Sequence, residues 1–189
     1  SKRRPWNKGK QVGRKLPLSL KQIRSIRIRL KAARRMRDLA LFNLAIDSSL
    51  NAIDVVQLRV CDIAKGRRIL SRATITPLES PRPIQFEITA ETRDSVAAWI
   101  AQEKLKPAEY LFRSRLHASP YLSARQYGRL VESWVSSIGL DPRGYGTQSL
   151  RRTKPVLIYR QTKSLLAAQL LLGHSRLRST ARFLGIDEG

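Results

Sequence analysis

The sequence predicts a mainly helical α+β domain with a small three-stranded antiparallel sheet. Two observations indicate this fold class. Apolar residues recur at helical spacing in most segments, and three short β-rich runs are grouped before the middle of the chain. The 189 residues are enough for one domain with a hydrophobic core and a tail.

Capping residues and apolar spacing define the predicted helices. Ser19 and Gln22 form a capping box at the start of the first one. Pro155 lies inside a later helix and should kink it, because proline cannot donate to the carbonyl of Arg151. The helices are expected from Ser19 to about Leu30, through Leu39 to Ile46, from Ala52 to Leu58, from Thr89 through Ile100, from Ser123 to Ile138, from Thr147 to about Gln161, from Leu165 to Leu172 and from Arg178 to Leu184.

The sheet is predicted from three runs, Leu58 to Ile63, Ile69 to Ile75 and Ile84 to Ile88. The Lys65-Gly66 pair turns the chain after the first run, and the segment from Pro77 to Pro83 turns it after the second. Consecutive strands joined by short turns pair antiparallel, so we expect one three-stranded sheet.

Charge is the strongest functional indication from composition. Lys and Arg number 37 against 14 Asp and Glu, which gives a formal net charge of +23. Such a charge opposes compaction and indicates a polyanionic partner: nucleic acid first, an anionic membrane surface second, and a ribosomal or acidic-protein partner third. No apolar run approaches the roughly 18 residues typical of a membrane span, and we expect no membrane association.

Cysteine and histidine are too few for metal chemistry. Cys61 is the single cysteine, so an internal disulfide is impossible. His117 and His174 cannot build a zinc site without carboxylate ligands. We therefore expect neither a metal nor a cofactor.

The opening stretch, Ser1 to Leu16, predicts a flexible basic arm. It has no acidic residue and no apolar periodicity. The arm is expected to contact DNA, and the alternative is a solvated tail that aids solubility. The rest of the chain, residues 17–189, is expected to form a single domain. The arm cations expected at DNA are Lys2, Arg3, Arg4, Lys8 and Lys10.

Three ordered stretches carry a resemblance to a known family. They run from Arg37 to Leu50 and on from Asp54 to Ile63, from Tyr145 to Lys154, and from Leu170 to Ser175 with Ser179 to Gly185. In this order and spacing they resemble the catalytic domain of the tyrosine recombinases, the phage-integrase family. The resemblance covers roughly Pro17 to Gly189, and it implies the tyrosine-recombinase catalytic-domain fold.

In that family a tyrosine hydroxyl attacks a DNA phosphodiester and forms a covalent 3′-phosphotyrosyl intermediate. Two arginines hold the non-bridging oxygens, where negative charge accumulates, because each guanidinium offers a planar bidentate fork. A lysine on the hairpin of the small sheet protonates the leaving 5′-oxygen, and histidines assist proton transfer and positioning.

Position-by-position matching leaves four of these six roles without the expected side chain. Asn51 stands at the first arginine, and Gln148 stands at the first histidine. The hairpin turn around Leu78 has no lysine, and Arg82 is a poor proton donor because an arginine keeps its proton in proteins. Phe183 stands at the nucleophile and has no hydroxyl. This pattern favours natural divergence over deliberate inactivation, for which one change of tyrosine to phenylalanine would suffice.

The second arginine and the later histidine are present, as Arg151 and His174. Together with Arg152 and Lys154 they are expected to bind phosphate. Two alternatives stay open at these positions. Arg151 could be a buried ion-pair partner for Asp54 or for a C-terminal carboxylate, and His174 could be a structural histidine.

The sequence therefore predicts a catalytically inactive, recombinase-like protein that binds duplex DNA. We expect an accessory or regulator of recombination in a bacterial mobile element, cytoplasmic and nucleoid-associated, with an active tyrosine recombinase or a second copy of the chain as a further partner. One alternative is a site-specific recombinase or integrase in an inactivated or atypical form. Another is a non-catalytic partner of an active recombinase with little DNA contact.

Overall fold

The computed structural model of the protein describes residues 14–115 and 119–186. The arm cations from Lys2 to Lys10 and His117 lie outside the described residues. The helices are α1 (Leu20–Ala32), α2 (Met36–Ser48), α3 (Ala52–Val56), α4 (Val60–Ile63), α5 (Ala90–Glu103), α6 (Ala124–Ser137), α7 (Thr147–Thr162), α8 (Leu165–Leu172) and α9 (Leu177–Leu184), with a 3-10 turn at Pro142–Gly144. The strands are β1 (Ala64–Lys65), β2 (Arg68–Ile69), β3 (Arg72–Ile75) and β4 (Ile84–Glu87).

The mainly helical α+β class is confirmed, and the capping signals mark the helix starts. The Ser19 hydroxyl accepts from the backbone N–H of Gln22 at 3.2 Å, and the Gln22 amide oxygen accepts from the backbone N–H of Ser19 at 2.9 Å. Ser123 and Gln126 make the same reciprocal pair at the start of α6. At α7 the cap is Gly146, and Thr147, predicted as the cap, is the first helical residue.

The predicted three-stranded sheet is wrong in detail. The structure has two separate antiparallel pairs, β1 with β2 and β3 with β4. The run from Leu58 to Ile63, predicted as the first strand, contains α4 instead. There the carboxylate of Asp62 accepts from the backbone N–H of Arg59 at 2.8 Å, which satisfies a donor at the helix start. A short apolar run cannot by itself distinguish a buried helix from a strand.

Helix α2 lies at the centre of the core. Its residues from Ala40 to Ile46 are all buried, and it packs against α5, α7 and α1. The rings of Phe42 and Trp134 meet edge to face at 5.6 Å, which joins α2 to α6. Helix α2 is therefore fixed in the core, and it packs against α7, which carries part of the candidate site.

The second half of the chain follows the predicted helices closely. Helix α7 continues through Pro155, so the proline does not end it, and the kink itself stays a prediction. Leu111 and Phe112, in the short apolar segment between α5 and α6, are fully buried. Within the described part of the chain, no helix is both long enough and apolar enough to cross a membrane.

Candidate nucleic-acid interface

The positions singled out from the sequence come together around Arg151. The guanidinium carbon of Arg151 lies 5.4 Å from the centre of the Phe183 ring. The His174 ring lies 5.6 Å from the same ring, at 80° to it. Asp54, from α3, and Glu79, from the turn after β3, attract the Arg151 charge. Side chains from α7, from α9, from the loop after α8 and from the turn after β3 therefore lie near one another.

Arg151 is half-buried and lacks a direct ion pair within the described residues. Its Nε is buried and has no hydrogen-bond partner there. Burial lowers the pKa of Arg151, and the attraction of Asp54 and Glu79 opposes that shift. Because an arginine stays charged in proteins, this guanidinium carries a positive charge that no carboxylate of the described residues pairs with directly. Of the two ion pairs that the sequence leaves open, the direct one with Asp54 is not formed. The C-terminal carboxylate lies outside the described residues.

Asn51 and Leu78 take part in a backbone connection through Asp54. The amide oxygen of Asn51 accepts from the backbone N–H of Asp54 at 3.0 Å and caps α3. The carboxylate of Asp54 accepts from the backbone N–H of Leu78 at 3.0 Å and ties the turn after β3 to α3. The side chain of Leu78 is exposed. Neither position brings a cation toward Arg151.

His174 lies just after Gly173, the C-cap of α8. Its Nδ1 is 3.1 Å from the hydroxyl of Thr180, and its backbone carbonyl accepts from the Gln169 amide at 3.0 Å. Burial and the nearby charge of Arg151 lower the pKa of His174, so the neutral ring is favoured. These contacts give His174 a structural role in the loop, and phosphate contact by it stays a prediction.

Arg152 and Lys154, the other two cations predicted on α7, are bonded to backbone carbonyls. Arg152 is buried and donates to the carbonyls of Phe183, at 3.1 Å, and of Lys15. Lys154 donates through Nζ to the carbonyl of Asp47 at 3.1 Å, at the end of α2. Both side chains therefore join elements of the fold, and phosphate contact by either stays a prediction.

A cleft of about 490 Å³ opens beside these residues. We call it the cationic cleft, because the described residues that line it include four cations and no carboxylate. No group of histidine, cysteine or acidic residues in the described part of the chain could hold a metal ion. The arrangement suits an anion. The lining includes Arg14, Lys15, Arg152 and Arg182 together with Gln148, His174 and Phe183.

Sequence reasoning missed three of these cations. Arg14 and Lys15 were assigned to the flexible arm, and Arg182 was given no role of its own. Lys15 meets Arg143 and Arg152 across 128 and 137 residues of sequence, and no local signal indicates such a contact. Arg182 comes directly before Phe183, and its charge on α9 is the only sequence signal for its place in the cleft.

A second cavity, of about 560 Å³, lies between α1, α2 and α5. Its Arg27 pairs with Glu91 at 3.3 Å and donates to the Asn43 amide oxygen at 2.7 Å. Since carboxylates line this cavity beside its cations, it is less suited to an anion than the cationic cleft.

Comparison with known proteins points to one family. The profile described as the Phage integrase family matches residues 18–188. The probable integrase/recombinase YoeC of Bacillus subtilis (strain 168) is 31% identical over 159 residues, which cover 80% of this chain and 79% of that protein.

Solved structures share the fold. The XerA recombinase superposes with a TM-score of 0.75 at 13% identity, over 92% of this chain and 61% of that one. The Tn1549 transposon integrase in complex with transposon right end DNA gives 0.66 at 20% identity, over 92% and 62%. The chain thus spans about three-fifths of the length of each of these two proteins. The tyrosine-recombinase catalytic-domain fold predicted from the sequence is confirmed.

The loop that holds His174 should depend on glycine at position 173. Gly173 has a φ of +67°, and a Cβ there would lie 2.7 Å from Cγ1 of Ile84. The left-handed conformation costs a non-glycine residue about 1–2 kcal/mol, and overpacking adds roughly 1–3 kcal/mol. We expect Gly173→Ala to lower the free energy of unfolding, measured by urea denaturation, by both amounts. The matched control is Gly66→Ala, with a φ of +61° and no atom within 4 Å of the added carbon. Equal losses in the two variants would contradict the contact with Ile84.

The lowered pKa of His174 should make stability depend on pH. Below the ordinary value of 6.5, the unfolded chain binds a proton more readily than the folded one. The free energy of unfolding should therefore rise with pH, from the lowered pKa up to about 6.5, and then level off. His174→Gln should remove this part of the slope in denaturation curves recorded across that range. His117→Gln, which removes the other histidine, should keep it. Identical slopes for the unmodified protein and His174→Gln would contradict the assignment.

Proposed function

The chain belongs to the phage integrase family, and we propose that it binds duplex DNA without cleaving it, as an accessory or regulator of recombination in a bacterial mobile element. The cationic cleft carries this proposal, since four cations line it and none of the described residues in its lining is a carboxylate. The Tn1549 integrase, which shares the fold, is in complex with transposon right end DNA. That relative supports duplex DNA as the polyanion.

Exposed cations extend the basic surface beyond the cleft. Lys21, Arg24 and Arg29 on α1 are exposed, and none of the ion pairs of the described residues includes them. Neutralising phosphates with such side chains releases condensed counterions, which is the main source of sequence-independent affinity. A net charge of +23 then favours tight binding with weak sequence selectivity.

The inactive part of the proposal rests on what Phe183 and its neighbours can do chemically. A phenyl ring has no oxygen to attack phosphorus, and the neutral amide of Asn51 caps α3. The turn between β3 and β4 has no lysine to protonate a leaving oxygen. Removing one donor from a site that stabilises an oxyanion costs about 3–4 kcal/mol, and here several contributions are missing together.

A protein-interaction role is the second candidate, and α8 favours it. Leu166 and Leu170 lie one turn apart and are 58% and 70% exposed. Exposed apolar side chains on one helical face are typical of a surface that another protein covers. The partner would be an active recombinase or a second copy of this chain. Strong salt-dependent DNA binding by the isolated chain would count against this role as the main one.

Binding to DNA should weaken steeply with salt. If the protein contacts about six to ten phosphates, its affinity should fall by roughly 10³ to 10⁵ between 50 and 200 mM salt. Fluorescence anisotropy on a labelled random-sequence duplex, repeated on several sequences, measures both the slope and the selectivity. A flat response over this range would rule out the electrostatic account.

Restoring the tyrosine alone should not restore cleavage. Phe183→Tyr should give no covalent adduct on a suicide DNA substrate, because the first arginine is still missing from the non-bridging oxygens and no lysine protonates the leaving oxygen. Adding Asn51→Arg, Leu78→Lys and Gln148→His should recover some adduct, since these groups act as a unit. Adducts are scored on denaturing gels.

The matched control is the triple variant with Phe183 retained, which should form no adduct. Adducts from Phe183→Tyr alone at rates normal for the family would show that the rest of the site is competent and would contradict its divergence from a working site. Adducts from the unmodified protein would contradict the proposal of inactivity and would point to one of its five tyrosines.

A further inference from the structure

The segment Arg14–Leu16, which we call the strap, is held against the loop before α7. The backbone N–H of Leu16 donates to the carbonyl of Gly144 at 2.9 Å. The ammonium group of Lys15 donates to the carbonyl of Arg143, also at 2.9 Å. Just beyond, the buried backbone N–H of Leu18 donates to the Thr153 hydroxyl at 3.0 Å. The strap therefore has a defined path along the edge of the cationic cleft.

Arg152 connects the strap to α9. Its buried guanidinium donates to the carbonyl of Lys15 on one side and to the carbonyl of Phe183 on the other. A planar guanidinium with donors in fixed directions is well suited to hold two backbone segments together. Arg152 is thus a positioning residue for the strap.

Arg14 is exposed and lies against the end of α9. Its Nη1 is 2.8 Å from the place where a Cβ on Gly185 would stand, so its guanidinium touches the glycine backbone two residues after Phe183. None of the ion pairs of the described residues includes Arg14. Burial, and next the charge of Arg14, lower the pKa of Arg152, because a neighbouring positive charge disfavours the charged guanidinium.

The cations of the cleft repel one another, because the described lining has no carboxylate. A bound anion would relieve this repulsion. A phosphate of the DNA backbone can supply this anion. The lining offers it the cations of Arg14, Lys15 and Arg182 and the amide of Gln148. The family's own first arginine and hairpin lysine are replaced here by Asn51 and by a turn without lysine. The strap adds the charges of Arg14 and Lys15 to those that Arg151 and Arg152 already place near Phe183.

We propose that the strap completes a phosphate-binding site in the cationic cleft, in which Arg14 and Lys15 contact a phosphodiester of duplex DNA. The inference rests on the proposed DNA binding and adds the residues that perform it. It assigns a binding role to a segment that lies before the first helix, outside the elements that carry the family's reaction.

The test compares single variants of the full chain in the anisotropy assay, over a salt series. Arg14→Gln should reduce the slope of log affinity against log salt by about 0.9, the value for one lost phosphate contact. Arg14→Lys keeps the charge and should keep the slope. Arg113→Gln is the matched control, because it removes the same charge from a residue outside the cleft that pairs with Glu103 and Glu109. Its slope should equal that of the unmodified protein.

The role of Arg152 is tested by a double-mutant cycle with Arg152→Met. If Arg152 holds the strap in place, Arg14→Gln should have no further effect on the slope in that background. Additive effects would overturn the positioning role. A cooperative unfolding transition above the assay temperature establishes that each variant is folded.

The outcomes separate this inference from the proposed function. A steep slope for the unmodified protein, with equal slopes for it, Arg14→Gln and Arg113→Gln, would overturn the phosphate contact of the strap while DNA binding stands. A flat response of the unmodified protein would overturn the proposed function and this inference with it.

Discussion

Buried carboxylates hold together a chain in which cations outnumber acids by more than two to one. Asp38 on α2 accepts from the indole of Trp134, which fixes α6. Asp47 accepts from the backbone and hydroxyl of Thr89 and fixes the start of α5. Asp54 accepts from Leu78 and fixes the turn after β3. Because these acids are bonded within the fold, they do not neutralise the cations of the cleft.

The parts of the fold that local chemistry determines were predictable from the sequence. Ser19 and Ser123 signal their helices through contacts three residues away, so the interaction lies within the pattern that predicts it. The strand predicted at Leu58 to Ile63 was wrong because local chemistry there does not distinguish a strand from a short helix. Burial of such a run favours strand and short helix alike, and the bond from Arg59 to Asp62 that decides between them is a single weak signal.

The candidate site was predictable to a different degree. Family resemblance located Arg151, His174 and Phe183, and the structure brings their side chains into contact distance. The resemblance does not indicate the hydrogen bonds of the two neighbouring arginines. Arg152 donates to two backbone carbonyls, whereas the Nε of Arg151 has no partner in the described chain. That difference depends on neighbours brought in from α9 and the strap, more than thirty and more than a hundred residues away along the chain.

DNA binding and DNA cleavage require different groups in one site. This difference explains how a chain of this family could bind DNA without cleaving it. Cleavage requires groups that act on the transition state, whereas binding requires only charge and donors that meet the phosphate in its ground state. Phenylalanine differs from tyrosine by the hydroxyl alone. At position 183 it keeps a ring for Arg151 and His174 to pack against, and under the proposed function it omits only the hydroxyl that would attack. A site changed in this way loses the reaction first and keeps its shape and its positive charge. A chain under selection for DNA binding alone has no physical reason to keep the hydroxyl, but it does have reason to keep the ring.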